Sequence, residues 1–479
     1  MIAKPDHIFG RDFEWQALAK FAARVGRTPQ MGVVSGRRRQ GKTFLVEALA
    51  HEIGGFYFGA TEATEAESLS MFSAALAEHV GEPYSFRFAT WDEAVRRLFA
   101  ISAERHDLMV IDEFPYLSKV APALPSIVQR EIDRAISRDA PASLLLCGSA
   151  MSVMGRLLAG NAPLRGRASM ELVVRPFDYR AAAEYWRVED HRLAVQTHAV
   201  VGGSPAYRRF VQGDTPDGPA DFDDWVQRAV LSPSSPLFRE ARYLLEEEAD
   251  VRDSALYHSV LAAVATGNGT RGAIAAYVGR KAADIGHHLN VLEDSCLLRR
   301  EPDAFRPSRS VYHVCEPLIN FYHVVMRPRW GLLEVGRAAN VWEDSRARFS
   351  DQVLGPHFEE MCRQFVMIED DFFGGLPGEV SAGTVTDPVR REQIQIDVVV
   401  FAPAMPGERR RILSLGEVKW GKSMGPGHLA RLRRAKDLLD AKGYDVRDTV
   451  LACYSGVGFD AALAGERDVR TVGLAELYG

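Results

Sequence analysis

The chain has 479 residues, 47% of them hydrophobic and 25% charged, with a net charge of −6. That length exceeds what one hydrophobic core spans, so about three units of roughly 100–200 residues are expected, and the composition excludes collagen-like, disordered and disulfide-scaffold chains. The acidic balance excludes a uniformly basic nucleic-acid coat but leaves room for a local basic face.

The first residues, MIAKPDHIFGRDFEW, lack an apolar segment behind a basic one, and no apolar run reaches bilayer length. A soluble, cytoplasmic protein without membrane contact is expected. Cys147, Cys296, Cys315, Cys362 and Cys453 are widely spaced and form no CxxC pair, which argues against a zinc ribbon and for a reducing compartment.

From Met31 to about Glu184, short apolar runs (MGVVSG, GGFYFGA, DLMVIDEF, SLLLCGS) alternate with amphipathic stretches, the pattern of an α/β fold with a parallel sheet between helices. Residues 1–184 are read as this core. Helical spacing dominates 185–250, as in FREARYLLEEEADV, with PDGPADFDD and SPSSP as loops; a helical lid and connector are expected there. Within 251–340, SALYHSVLAAVA, TRGAIAAYVG and KAADIGHHLNVLEDSC predict three helices, and LLRREP and SVYHVCE two strands, the order of a winged helix. In that unit Arg271, Arg280 and Lys281 are available for phosphates, and His287 and His288 face the groove. Residues 341–479 predict a second α/β domain: helix VLGPHFEEMCRQFVM, strands QIQIDVVVF and RILSLGEVKW, helix GHLARLRRAKDLLDAKG and strand DTVLACYS.

Gly36-Arg37-Arg38-Arg39-Gln40-Gly41-Lys42-Thr43 matches GxxxxGK[ST], follows the strand MGVVS and opens the helix FLVEALAHEI, the context a phosphate-binding loop needs. Its glycines let backbone amides face phosphates, Lys42 neutralises β/γ oxygens and Thr43 offers a hydroxyl to Mg²⁺. The stretch Gly36 to Phe44 is the expected nucleotide contact. The run Leu108–Ile111 delivers Asp112 to the carboxyl edge of the sheet as a second Mg²⁺ ligand, and Glu113 next to it as acceptor of the attacking water's proton. Ser149, ending SLLLCGS, is expected between these carboxylates and the γ-phosphate. Arg167 in PLRGR is a candidate cation for that phosphate, in cis or from a neighbouring subunit of a homo-oligomer.

The boxes IFGRDFEW, GRRRQGKT, LMVIDEFPYL, LLLCGS, PLRGR and GGSPAY together resemble those of prokaryotic, archaeal-type AAA ATPases related to the STAND class. The resemblance implies ATP and Mg²⁺ as cofactors, and places Phe9, Gly10, Arg11 and Pro205 at the border of the nucleotide. Three arginines inside the loop depart from that pattern, so Arg37 to Arg39 are also candidates for DNA or subunit contacts.

Asp397 in QIQIDVVVF and Glu417-Val418-Lys419 in SLGEVKW give a D…ExK spacing. Glu417 and Lys419, two apart on a strand, share a face, so a metal ligand and an ammonium point into one pocket. Asp397 and Glu417 are the candidate Mg²⁺ ligands, Lys419 orients the water, and Glu359 is preferred over Glu360 as a further carboxylate. Between Arg390 and Lys436 eleven Lys+Arg face four Asp+Glu, a balance of 11 − 4 = +7, and Arg431, Arg433, Arg434 and Lys436 sit on one helix, which suits a polyanion such as DNA. From FEEMCRQF onward the chain resembles the PD-(D/E)xK restriction-endonuclease-like domain attached to such ATPases. The two readings that follow are an ATPase coupled to DNA binding or Mg²⁺-dependent cleavage, and a STAND-like assembly switch whose last domain binds without cutting.

Overall fold

The computed structural model describes residues 2–246, 254–369, 371–466 and 468–479. Five strands, β1 (Gln30–Ser35), β2 (Phe56–Gly59), β3 (Leu108–Asp112), β4 (Ser143–Gly148) and β5 (Ala168–Val173), form a sheet in the order β2-β3-β4-β1-β5, every pair parallel. The α/β expectation for this half therefore holds. β3 and β4 are buried throughout, because helices cover both faces: Met31, Val33 and Ile111 enter one apolar cluster, Val34, Val110 and Cys147 the other. β1 runs first, yet lies between β4 and β5. The strand order reverses beside it, and the crevice at the carboxyl ends there is where ligands of open sheets collect.

β5 was not among the strands anticipated. Its sequence ASMELV occupies the sheet edge, and of its six residues only Leu172 is buried, so it shows no apolar run.

Helices His191–Val201, Pro205–Phe210 and Leu237–Glu246 follow. Next come helices Ser254–Ala265, Arg271–Tyr277 and Gly286–Asp294 and an antiparallel hairpin, β6 (Leu298–Asp303) and β7 (Arg306–Val314). The third helix starts five residues later than the run KAADIGHHL suggests. Arg271 Nε donates to the Ala282 carbonyl at 2.8 Å and the Asp284 amide to Lys281, so these residues form a turn. His287 is exposed, whereas His288 packs on Tyr257, 4.9 Å between rings.

The last sheet holds β8 (Glu379–Asp387), β9 (Glu392–Phe401), β10 (Ile412–Lys419), β11 (Val450–Ser455) and β12 (Val469–Val472) in the order β12-β11-β10-β9-β8. β8, β9 and β10 pair antiparallel, β10, β11 and β12 parallel. Helix Gly355–Ile368 covers one face. Helix Pro426–Ala441, the crossover between β10 and β11, covers the other with Leu429, Leu432, Ala435 and Leu439. The strands expected from the sequence do not include β8 and β12, which lie at the two edges.

One apolar cluster runs from Tyr179 to Leu477 through all three stretches after the first sheet; the boundary expected at 250–251 lies outside the described residues. Polar clasps reinforce it: Tyr179 Oη and Arg180 Nε both donate to the Leu477 carbonyl, at 2.8 and 2.7 Å, and Arg192 donates to Gly456 at 2.9 Å while covering Trp420. The five cysteines, all among the described residues, form no disulfide, and no described helix is long and apolar enough to cross a membrane.

Within this cluster His198 Nδ1 and His357 Nε2 lie 2.8 Å apart. Burial pushes the two rings down to about 4 and about 3. Unfolded histidine takes up its proton near pH 6.5, so the stability these neutral rings carry is present above that pH and lost as pH falls toward 4, by on the order of 2 kcal/mol per ring at pH 5. The double variant His198→Leu/His357→Leu should lose less of its melting temperature than wild type between pH 7.5 and pH 5; parallel losses would contradict this.

Candidate functional site

The loop after β1 closes on itself. Gly41, at φ 84°, turns the chain into helix Lys42–Glu52, a left-handed conformation that suits glycine. At Gly36 a Cβ would stand 2.4 Å from the Val174 carbonyl oxygen, so only glycine fits there. Lys42 Nζ donates to the Arg37 carbonyl at 2.8 Å across the loop. Burial lowers the Lys42 ammonium from its ordinary value, opposed by Cys147, Glu113 and Asp112. Thr43 is exposed on the first helical turn, and Phe44, half-exposed, meets His7 edge-on.

Asp112, at the end of β3, is 1% exposed. It accepts from the Tyr57 hydroxyl at 3.1 Å and the Glu113 amide at 2.8 Å. Burial and the Asp112 carboxylate push the Tyr57 phenol up, so it stays a donor. Tyr57 was missed in the sequence, where FYFG reads only as an apolar strand. Glu113 has φ 51°, ψ 42°, a conformation costing a non-glycine residue roughly 1 kcal/mol. Ser149 holds it there, its Oγ donating to Glu113 Oε2 at 2.8 Å and its amide to the same oxygen at 3.3 Å. The serine thus reaches the carboxylate expected beside it.

Residues from distant boxes also converge on the loop. Arg11 donates to the Gln40 carbonyl at 3.1 Å and stacks on Phe177 at 4.3 Å; Phe9 packs on Phe177 and Tyr185, with Gly10 between. Pro205 flanks Gly41, and the Ala206 amide donates to the Arg39 carbonyl at 3.4 Å.

The three loop arginines are engaged inside the chain. Arg37 pairs with Glu316 at 2.9 Å, both side chains buried; Arg38 donates to Tyr116 Oη at 2.7 Å; Arg39 pairs with Glu240 at 2.8 Å and faces Phe210. Partners 201 and 279 residues away are invisible to local sequence patterns.

Arg167 requires a correction. It precedes β5, whose parallel pairing sets Ala168 level with Met31, whereas the phosphate loop leaves the opposite end of β1 after Ser35. About 13 Å of strand separates the two, and Asp133 holds the guanidinium through two contacts of 3.0 Å. Arg167 therefore does not reach the phosphate loop of its own chain.

A second constellation lies on the last sheet. The antiparallel register pairs Val398 with Gly416, which puts Asp397 and Glu417 opposite each other. They are 4% and 2% exposed. Asp397 accepts from the Val418 amide at 2.9 Å and from Gln395 Nε2 at 3.1 Å. Gln395, two residues before Asp397 on the same strand face, was missed although the period of two places it there. Lys419 and Arg431 each approach Glu417 Oε1 at 3.3 Å. Burial and the Asp397 carboxylate push the Glu359 carboxyl up to about 7. Burial disfavours the Glu360 anion as well, yet Arg299 and Arg363 hold that carboxyl at about 2. Glu359 thus feels the Asp397 carboxylate, whereas Glu360 is held in an ion-pair network.

The basic helix is largely neutralised. Arg433 pairs with Glu466 and Asp468 at 2.8 and 2.6 Å, Arg434 grips Asp387, and Lys436 donates to the Thr449 carbonyl. Of Arg431, Arg433, Arg434 and Lys436 on this helix, Arg431 lies beside the carboxylates, half-exposed and 3.3 Å from Glu417.

No family model matches the chain. An uncharacterized protein of Methanocaldococcus jannaschii is 26% identical over 349 residues, 72% of this chain and 74% of that one. Among solved structures, a Walker-type ATPase of Pyrococcus abyssi is 18% identical, covering 67% of this chain and 97% of its own, with TM-score 0.49. The ORC2 protein of Aeropyrum pernix is 15% identical over 72% of this chain and 97% of its own, with TM-score 0.42. At such values the site stands on this chain's own residues.

Proposed function

We propose that the chain is a P-loop ATPase whose last domain is a PD-(D/E)xK nuclease-like module acting on DNA. The observation that carries the ATPase reading is the loop Gly36–Thr43, buried at Lys42 and facing Asp112 and Glu113 at the carboxyl edge of a parallel sheet. The backbone amides at the helix start and one buried ammonium form a donor set suited to a triphosphate. Thr43 and Asp112 would hold Mg²⁺, which supplies charge neutralisation between the β and γ phosphates. Glu113 would accept a proton from the attacking water once Ser149 releases or shares it, and Phe9, Gly10, Arg11 and Pro205 border the nucleotide. Arg167 would act only from a neighbouring subunit of a homo-oligomer.

For the last domain, Asp397 and Glu417 offer hard oxygens, and Mg²⁺ asks for only one or two protein carboxylates; Glu359, its carboxyl pushed up by burial and Asp397, adds a third. Lys419 would orient water toward a phosphodiester. Helices Ser254–Ala265, Arg271–Tyr277 and Gly286–Asp294 with the hairpin are read as a winged helix, Arg280 and Lys281 being exposed. The deep burial of Asp397 and Glu417 favours the second reading, an ATP-dependent switch that does not cut, as the resting condition of the molecule.

The test is equilibrium ATP binding with Mg²⁺ to the full chain. Lys42→Ala removes a charge-assisted contact, and affinity should fall about 10- to 100-fold. Unaltered affinity would refute the phosphate-loop role.

A further inference from the structure

The hairpin β6–β7 packs against the last domain and leads, two residues beyond its end, into Glu316 at the phosphate loop. Its tip is not a free wing. Ala304 is 2% exposed and its amide donates to the Ala382 carbonyl at 2.9 Å. In return the Ala382 amide donates to Glu301 Oε1 at 3.1 Å and the Thr384 amide to Asp303 Oδ2 at 3.0 Å. Phe305 lies against Gly383, where an added Cβ would stand 2.6 Å from the ring. The tip thus caps edge strand β8, whose amides would otherwise be unpaired.

The hairpin base lies along the helix that carries Glu359. Arg299 grips both oxygens of Glu360, at 2.7 and 2.6 Å. Glu301 stands 3.9 Å from Arg363 and 3.6 Å from His313, and Arg363 in turn donates to the Asp397 carbonyl at 2.9 Å. The hairpin is thus linked through Arg363 to the strand that carries Asp397, and the Asp397 and Glu417 carboxylates are nearly inaccessible.

At its other end β7 stops at Val314, and two residues later Glu316 pairs with Arg37 inside the phosphate loop. A triphosphate in that loop presents oxygens that compete with Glu316 for the Arg37 guanidinium. Glu316 is 2% exposed, and a buried carboxylate that loses its cationic partner is strongly destabilised, which favours a shift of the segment that bears it.

We propose that the β6–β7 hairpin is an autoinhibitory cover over the Asp397–Glu417 site, and that nucleotide in the phosphate loop releases it by drawing Arg37 away from Glu316. This regulation rests on the nuclease reading of the last domain, but the movement of the hairpin does not depend on it.

Hydrogen exchange on the full chain reads the movement directly. The amides of Ala304, Ala382 and Thr384 should exchange about tenfold faster or more at saturating ATP and Mg²⁺, and Lys42→Ala should abolish the acceleration. Glu316→Gln should give fast exchange without ATP. Equal protection with and without ATP in a protein that binds ATP would overturn the proposal. In plasmid nicking with Mg²⁺, Arg299→Ala, which loosens the hairpin base without touching the site, should nick without ATP about tenfold faster than wild type, and Glu417→Ala should not nick. Amides that open with ATP while no variant nicks would leave the cover standing and remove the nuclease reading. Wild type that nicks as fast as Arg299→Ala without ATP would remove the cover instead.

Discussion

Glu113→Gln should lower ATP turnover by about 10²- to 10⁴-fold while leaving ATP affinity within about threefold of wild type. The reason lies in what the substitution changes and what it keeps. The amide preserves the volume and can still meet Ser149, whose hydroxyl sits 2.8 Å from the carboxylate, so the left-handed backbone at Glu113 retains its support. Lost is the oxygen able to take a proton from water. Ser149→Ala makes the complementary case: Glu113 loses its clamp but keeps its basicity, so turnover changes far less than in Glu113→Gln. Wild-type turnover in the glutamine variant would assign the proton acceptor elsewhere, and loss of binding in parallel would mean that Glu113 supports the nucleotide rather than the reaction.

Glu417→Ala should abolish Mg²⁺-dependent plasmid cleavage, a loss of at least about 100-fold, because a metal that polarises the phosphoryl oxygen contributes several kcal/mol. Removing this carboxylate also leaves Lys419 and Arg431, both 3.3 Å away, without their shared acid, so DNA affinity should hold or rise as cleavage disappears. Asp397→Asn should behave alike in cleavage, since from its opposite position on β9 Asp397 would offer a metal the other oxygen. A variant that cuts as well as wild type would remove the carboxylate pair from the chemistry. ATP turnover, which depends on the first sheet, should stay unchanged in either variant.

The features legible in the sequence are those written in local spacing. GRRRQGKT needs only eight consecutive residues, and its glycines and lysine land where the turn and helix start require them. The period of two that joins Glu417 to Lys419 is equally local. Less visible is anything set by chain direction or by remote partners. Arg167 looks plausible beside a phosphate until β5 is recognised as parallel to β1, which sends the residue to the amino edge; β5 itself is half-exposed and shows no apolar run. Glu359 and Glu360 point about 100° apart on one helix, and the choice between them depends on Arg299, a residue of the hairpin. The basic helix reads as a DNA-facing stripe because Asp387 and Asp468, which neutralise Arg434 and Arg433, lie 47 and 35 residues away. The same holds for Arg37 and Arg39. Charge patterns show where cations are, and only the fold shows which of them are already paired.

Phosphate release from ATP with Mg²⁺ by the purified full chain, wild type beside Lys42→Ala, decides whether the loop Gly36–Thr43 makes this chain an ATPase. Mg²⁺-dependent release by wild type that falls to background in Lys42→Ala is the predicted result. Equal release by both, or none by a wild type that fails to bind ATP, would contradict it.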